Sequence, residues 1–161
     1  MALNGITSTE RMGFEKNRRL VRVFNNQRST ETIGGKTCHF RSKGEVRMAR
    51  YFEILKTAGH IKDWAYEQTT FTFPDEIKGV KIWLVDFDVI NPDGSFEYFE
   101  YKGHPEGKDV TKFRRLAQYR PDAKVTLVMS GRNKKHANRL RIISKYAYRI
   151  TYAAELFKGI V

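Results

Sequence analysis

The chain has 161 residues, enough for one domain with its own core, and its 40% hydrophobic and 13% aromatic content reads as globular rather than disordered. Thirty Lys+Arg against 18 Asp+Glu give a formal net charge of +12 and point to a polyanionic partner, nucleic acid ahead of an anionic membrane surface. No apolar run approaches the roughly 18 residues of a membrane span, the first residues lack a signal peptide's apolar centre, and the lone Cys38 with no CxxC or HxxxH spacing excludes an internal disulfide and a zinc site. The expectation is an intracellular, soluble protein.

In chain order, the first residues, RMGFEKNRRLVRVFNNQR, are polar and basic with weak periodicity. They read as an arm, with Val21, Val23 and Phe24 as anchors. TIGGKTCHF (32–40) places Gly34-Gly35 between strand-like pieces, a hairpin signal. SKGEVRMARYFEILKTAG (42–59) reads as a helix: Ser42 stands at the N-cap, Gly59 ends the pattern, and Val46, Ala49, Phe52 (or Tyr51) and Leu55 form the stripe. Strand signals follow in 60–74, with Trp64, Tyr66, Phe71 and Phe73 as its large groups. KIWLVDFDVI (81–90) and SFEYFEYK (95–102) flank the turn NPDG, and together these strands make a meander. DVTKFRRLAQY (109–119) is helical, KVTLVM (124–129) is a buried strand, and the basic stretch from Gly131 onwards forms a helix, or a helix and a strand. The order gives a mixed α/β fold.

The hairpin carries the chemistry. A loop centred on Pro92-Asp93 sets Ile90 opposite Phe96, Asp88 opposite Tyr98 and Asp86 opposite Glu100. Side chains alternate with period two, so Asp86, Asp88, Glu100 and Lys102 share a face. Opposed residues have Cβ atoms about 4.5–5.5 Å apart, where two carboxylates repel unless a cation or proton intervenes. Mg²⁺ accepts one or two carboxylates and keeps its waters, so this pair suits it. Lys102 reaches a water or phosphate beside such an ion. The plain alternative is a solvated hairpin face, and Ser42-x-x-Glu45 is a capping box without any catalytic role.

A helical acid, then Asp on one strand, then Glu-x-Lys on the next, then a basic helix resembles the PD-(D/E)XK nuclease superfamily. Over residues 32–130, RSKGEVRMARYFEILKTAGHIKDWAYEQTTF, VDFDV, NPDGS and FEYKG look like phage-encoded members related to Holliday-junction-resolving and restriction-type endonucleases. The resemblance implies a restriction-endonuclease-like mixed β-sheet core flanked by helices over 32–161, preceded by a basic extension over 1–31. It implies catalytic roles for Glu45, Asp86, Glu100 and Lys102. On that resemblance Asp86, Glu100 and the Tyr101 carbonyl would hold Mg²⁺ or a substituting Mn²⁺, Glu45 would bind the metal or a metal water, Lys102 would orient or help deprotonate the water, and cleavage would leave 5′-phosphate and 3′-hydroxyl ends. The family's proline before the Asp is Val85 here, which leaves Asp88 as a competitor of Asp86.

For the basic surplus, Lys112, Arg114 and Arg115 on the helix after the site, and Arg132, Lys134, Lys135, Arg139 and Arg141 beyond it, are the candidates for gripping phosphates. Tyr146, Tyr148 and Tyr152 read as core or dimer-face aromatics. The function expected is Mg²⁺-dependent cleavage of DNA, branched DNA first, by a homodimer in the cytoplasm (the host's, for a phage protein), with no membrane partner. A site-specific or homing-type endonuclease is the close alternative, and a non-catalytic nucleic-acid-binding protein the distant one. A pure binding protein gains nothing by setting carboxylates against a phosphate-binding face.

Overall fold

A computed structural model describes residues 27–76 and 78–158. The arm with its anchors Val21, Val23 and Phe24 lies outside the described residues. Strand β1 (Ser29–Ile33) begins within the stretch assigned to the extension, and it pairs antiparallel with β2 (Lys36–Phe40). Gly34 and Gly35 both take positive φ, +58° and +78°, as a two-residue hairpin turn demands.

Helix α1 (Lys43–Thr57) follows its Ser42 cap, and Val46, Met48, Ala49 and Phe52 are its buried face. Next come β3 (Asp63–Tyr66), β4 (Thr70–Thr72), β5 (Ile82–Leu84), β6 (Phe87–Ile90) and β7 (Phe96–Lys102). Helix α2 (Gly107–Tyr119), β8 (Val125–Met129), a 3-10 turn at Lys134–His136, α3 (Ala137–Ile143), β9 (Arg149–Tyr152) and α4 (Ala153–Leu156) complete the described chain. The central sheet has five strands in the order β3-β6-β7-β8-β9. Neighbours on the β3-β6-β7 side are antiparallel, whereas β7-β8 and β8-β9 are parallel, with α2 and α3 in the crossovers. The fold is therefore mixed α/β, a mixed sheet flanked by helices.

Two of the three expected β6–β7 pairs form, Ile90 facing Phe96 and Asp88 facing Tyr98, whereas the third, Asp86 opposite Glu100, lies beyond the ladder, which ends at Phe87 and Phe99. The stretch 81–90, however, is not one strand. Its first half, β5, pairs with β4 in a separate ribbon, and its second half, β6, lies between β3 and β7. Val85 and Asp86 form the break: the Val85 amide donates to the Thr69 carbonyl, and the Asp86 carbonyl accepts from the Glu67 amide. The meander is thus β3-β6-β7, with the β4–β5 ribbon inserted into it.

Two cores result, one on each face of the sheet. Phe52 of α1 packs edge-on against Phe99 and tilted against Phe87, beneath Trp64 and Tyr66. On the other face Phe113 and Leu116 of α2 and Ile143 of α3 pack on Val125, Leu127 and Met129, together with Trp83 and Phe71 from the ribbon. No helix among the described residues is long and apolar enough to cross a membrane.

Candidate metal and nucleic-acid site

Several chain segments meet at one end of the sheet, among them the start of α1, the Val85–Asp86 break, the end of β7, the loop after it and the stretch from Ser130 to His136. They enclose a cavity of about 940 Å³ lined by Glu45, Asp86, Tyr101, Lys102, His104 and His136 among others. The capping geometry at α1 places Glu45. The Glu45 amide donates to Ser42 Oγ at 3.2 Å, and Glu45 Oε2 accepts from the Arg41 amide at 2.8 Å and from the Tyr66 hydroxyl at 2.7 Å. Oε1 accepts from Ser42 Oγ at 3.1 Å. The capping role is therefore real, and the carboxylate also contributes, as the least of the causes, to the raised proton affinity of Asp86.

Asp86 sits at the strand break because the chain there has left both ladders. Its Oδ2 accepts from the Tyr101 amide at 2.8 Å. In an extended strand a residue's N–H and C=O share an edge, so the Tyr101 carbonyl lies on the Asp86 side as well. Burial, then the Glu100 carboxylate, push the Asp86 pKa well above the usual carboxylate range, against the pull of Lys102 and the Tyr101 amide. Buried carboxylates that repel one another attract a hard dication.

Glu100 is 1% exposed and lies beneath the cavity rather than on its wall. Trp83 Nε1 donates to its Oε2 at 3.0 Å, while Oε1 takes Lys102 Nζ at 2.8 Å and Lys112 Nζ at 3.4 Å. Lys102 also stands 3.8 Å from Asp109 Oδ1, and Lys112 stands 3.6 Å from the same atom. These acids hold the Lys102 ammonium charged, raising its pKa despite burial. Held as an ammonium in this way, Lys102 neutralises charge and is placed to orient water.

Asp88 does not belong to this site. Thr69 Oγ1 donates to its Oδ2, and it lines a different cavity with Lys36 and Trp64. Among the described residues no three His, Cys, Asp or Glu side chains come together as a ready metal cage. The reason is visible in the bonds: Glu45 is turned to its cap and Tyr66, and the Glu100 oxygens are taken by lysines and an indole. The donor set is nonetheless all oxygen, which suits Mg²⁺ or Mn²⁺ and not softer ions. Asp86, Glu100 and the Tyr101 carbonyl are the oxygen donors that would hold such an ion.

The expected phosphate grips divide. Lys112 is corrected: it is mostly buried, paired with Glu100 and Asp109, and its ammonium lies over the Trp83 ring. Arg115 donates from its guanidinium to the Lys78 carbonyl beside the ribbon. Arg114 is exposed and stacks on Tyr146. Arg132 pairs with Glu155 at 2.6 Å and lies over Tyr152, yet stays largely exposed. Lys134, Lys135 and Arg141 are exposed, and Arg139 reaches the Pro105 carbonyl at 3.3 Å. Asn133 and His136, within this run, line the same cavity as Asp86, as do Arg41 and Lys43.

Asp109 carries no mark in the sequence. It resembles an ordinary acid in a helix's first turn, and it does cap α2, its Oδ2 accepting from the Glu106 amide at 2.7 Å. Its proximity to Lys102 is set by tertiary packing and leaves no local signal. Comparison with protein-family models, curated proteins and solved structures finds no match to this chain.

Proposed function

We propose that this protein is a Mg²⁺-dependent DNA endonuclease that hydrolyses phosphodiester bonds at the Asp86 cavity, acting on branched DNA as a homodimer. The observation that carries the reading is the meeting of Glu45, Asp86, Glu100 and Lys102, drawn from three separate segments, at a cavity bordered by Arg41, Lys43 and the basic run around Asn133. A solvated hairpin face does not bury its acids, and these are buried.

The bound cation supplies charge stabilisation at the phosphoryl group and a nucleophilic water at neutral pH. The chain's own groups do the rest. Asp86 and Glu100 hold the cation, with Asp86 aimed by the Tyr101 amide and Glu100 by the Trp83 indole. Lys102 presents a fixed positive charge to the scissile phosphate and orients the attacking water. Glu45, its carboxylate held by Arg41, Ser42 and Tyr66, adds to the negative field at Asp86. Arg132, Lys134 and Lys135 contact phosphates away from the break and hold the duplex without reading it.

The test is cleavage of linear, nicked, flapped and four-way DNA with Mg²⁺. Wild-type protein cuts the four-way substrate in preference. Glu100→Ala and Lys102→Ala bind it but do not cut. Mutants that cut at wild-type rates overturn the assignment. Cutting concentrated at one duplex sequence, with linear DNA competing as well as the junction, favours a site-specific endonuclease instead.

A further inference from the structure

Asp109 is 2% exposed, and its Oδ1 has no hydrogen-bond partner among the described residues although two lysine ammoniums stand 3.6 and 3.8 Å away. A buried carboxylate oxygen with two ammoniums at ion-pair distance, neither close enough to hydrogen-bond, holds its partners loosely. Lys102 is held more tightly elsewhere, since its Nζ lies 2.8 Å from Glu100 Oε1. That oxygen is one the cation site needs. A dication arriving at Glu100 Oε1 repels the ammonium bound there and competes with it for that oxygen, so filling the site favours a shift of Lys102 away from Glu100.

We infer that Asp109 is the positioning residue that receives Lys102 when a divalent cation takes Glu100, so that the lysine exchanges one carboxylate for another without leaving the site. The inference rests on the proposed reading of Asp86 and Glu100 as the cation ligands. The geometry suits the exchange. Glu100 and Asp109 flank the ammonium, so a movement of about one ångström converts the 3.8 Å approach into a charge-assisted bond of about 2.8 Å. Lys112 sits between the same two carboxylates at 3.4 and 3.6 Å and keeps their joint charge balanced as Lys102 moves. The Oδ2 atom is fixed by the Glu106 amide, so Asp109 cannot swing to meet the lysine; the lysine moves instead. Asp109 thus controls whether Lys102 competes with the cation or assists it.

The experiment is Mn²⁺ titration of the full chain without DNA, followed by electron paramagnetic resonance, in a two-by-two set: wild type, Asp109→Asn, Lys102→Met and the double variant. Removing the alternative acceptor leaves Lys102 on Glu100, so Asp109→Asn weakens Mn²⁺ about tenfold, the worth of one charge-assisted hydrogen bond. Lys102→Met tightens it, because the competitor is gone. In the Lys102→Met background Asp109→Asn has little effect, whereas a mere loss of nearby negative charge weakens binding equally in both backgrounds. Asp109→Glu, which keeps the charge, restores wild-type affinity. Thermal melts show whether each variant is folded; if Asp109→Asn is not, the Asp109→Glu and Lys102→Met titrations decide. Wild-type protein that binds no Mn²⁺ overturns the cation reading itself, while wild-type binding with equal losses in both backgrounds overturns only the exchange.

Discussion

Replacing Gly44 by alanine tests how closely the site depends on the contact between α1 and β7. A Cβ built at Gly44 falls 2.1 Å from Tyr101 Cε1 and Cζ and 2.4 Å from its hydroxyl oxygen, where ordinary van der Waals contact begins at 3.4 Å. The ring must retreat by more than an ångström. Only its far end is struck and Tyr101 lines the cavity, so the ring swings there rather than pushing the helix away. Stability changes by about 1–3 kcal/mol at most, offset in part by alanine's helix preference of up to about 1 kcal/mol over glycine. Activity suffers more, because Gly44 adjoins Glu45 while Tyr101 sits between Glu100 and Lys102 and its amide aims Asp86. A displacement of this size costs on the order of a hundredfold in rate. Single-turnover cleavage of DNA and a thermal melt on the same preparation read both effects. Tyr101→Ala in the Gly44→Ala background should recover the melting temperature, since the clashing ring is gone. Gly44→Ala with wild-type rate, or a double variant no more stable than the single one, refutes the reasoning.

Asp86→Asn should melt higher than wild type at pH 7 while losing cleavage. Burial and Glu100 raise the folded Asp86 pKa, so between the ordinary carboxylate range and that raised value the native state binds more protons than the unfolded one, and stability falls as pH climbs through the window. A tenfold rise in the carboxylate's proton affinity corresponds to about 1.4 kcal/mol, and each kcal/mol to about 2–4 °C in a chain of this size, so the gain should be visible at pH 7 and vanish near pH 4; equal melting at both pH values contradicts it. Neutralising Arg132, Lys134 and Lys135 together should weaken DNA binding and reduce the slope of log K against log salt by about 0.9 for every phosphate that is no longer neutralised, and an unchanged slope places the binding face elsewhere. Lys112→Met should leave that slope unaltered, because its ammonium is committed to Glu100 and Asp109; a reduced slope shows that it reaches DNA after all.

The hairpin register was legible because period-two alternation and the NPDG turn each specify it, and the two agree. The α1 boundaries were legible from Ser42 and Gly59 for the same reason: local chemistry decided them. The break at Val85–Asp86 was not, since KIWLVDFDVI is unbroken in its strand preference and only tertiary pairing of β5 with β4 and of β6 with β3 divides it. Lys112 and Asp109 were misjudged or missed because a lysine and an acid on an amphipathic helix look solvated; Glu100, some distance away in sequence, is what gathers them. Trp83 was invisible as a site residue on similar grounds, its indole reaching Glu100 across the second core.

Whether the Asp86 cavity cuts DNA decides the proposed function. Purified wild-type protein should be incubated with four-way DNA carrying a label on each strand, with Mg²⁺ in one arm and a chelator in the other, and the new ends tested for ligation and for phosphatase sensitivity. The expected result is cleavage with Mg²⁺ alone, ends bearing 5′-phosphate and 3′-hydroxyl, and no cleavage by Asp86→Asn in the same preparation. Cleavage that persists in the chelator, or that Asp86→Asn performs as fast as wild type, contradicts it.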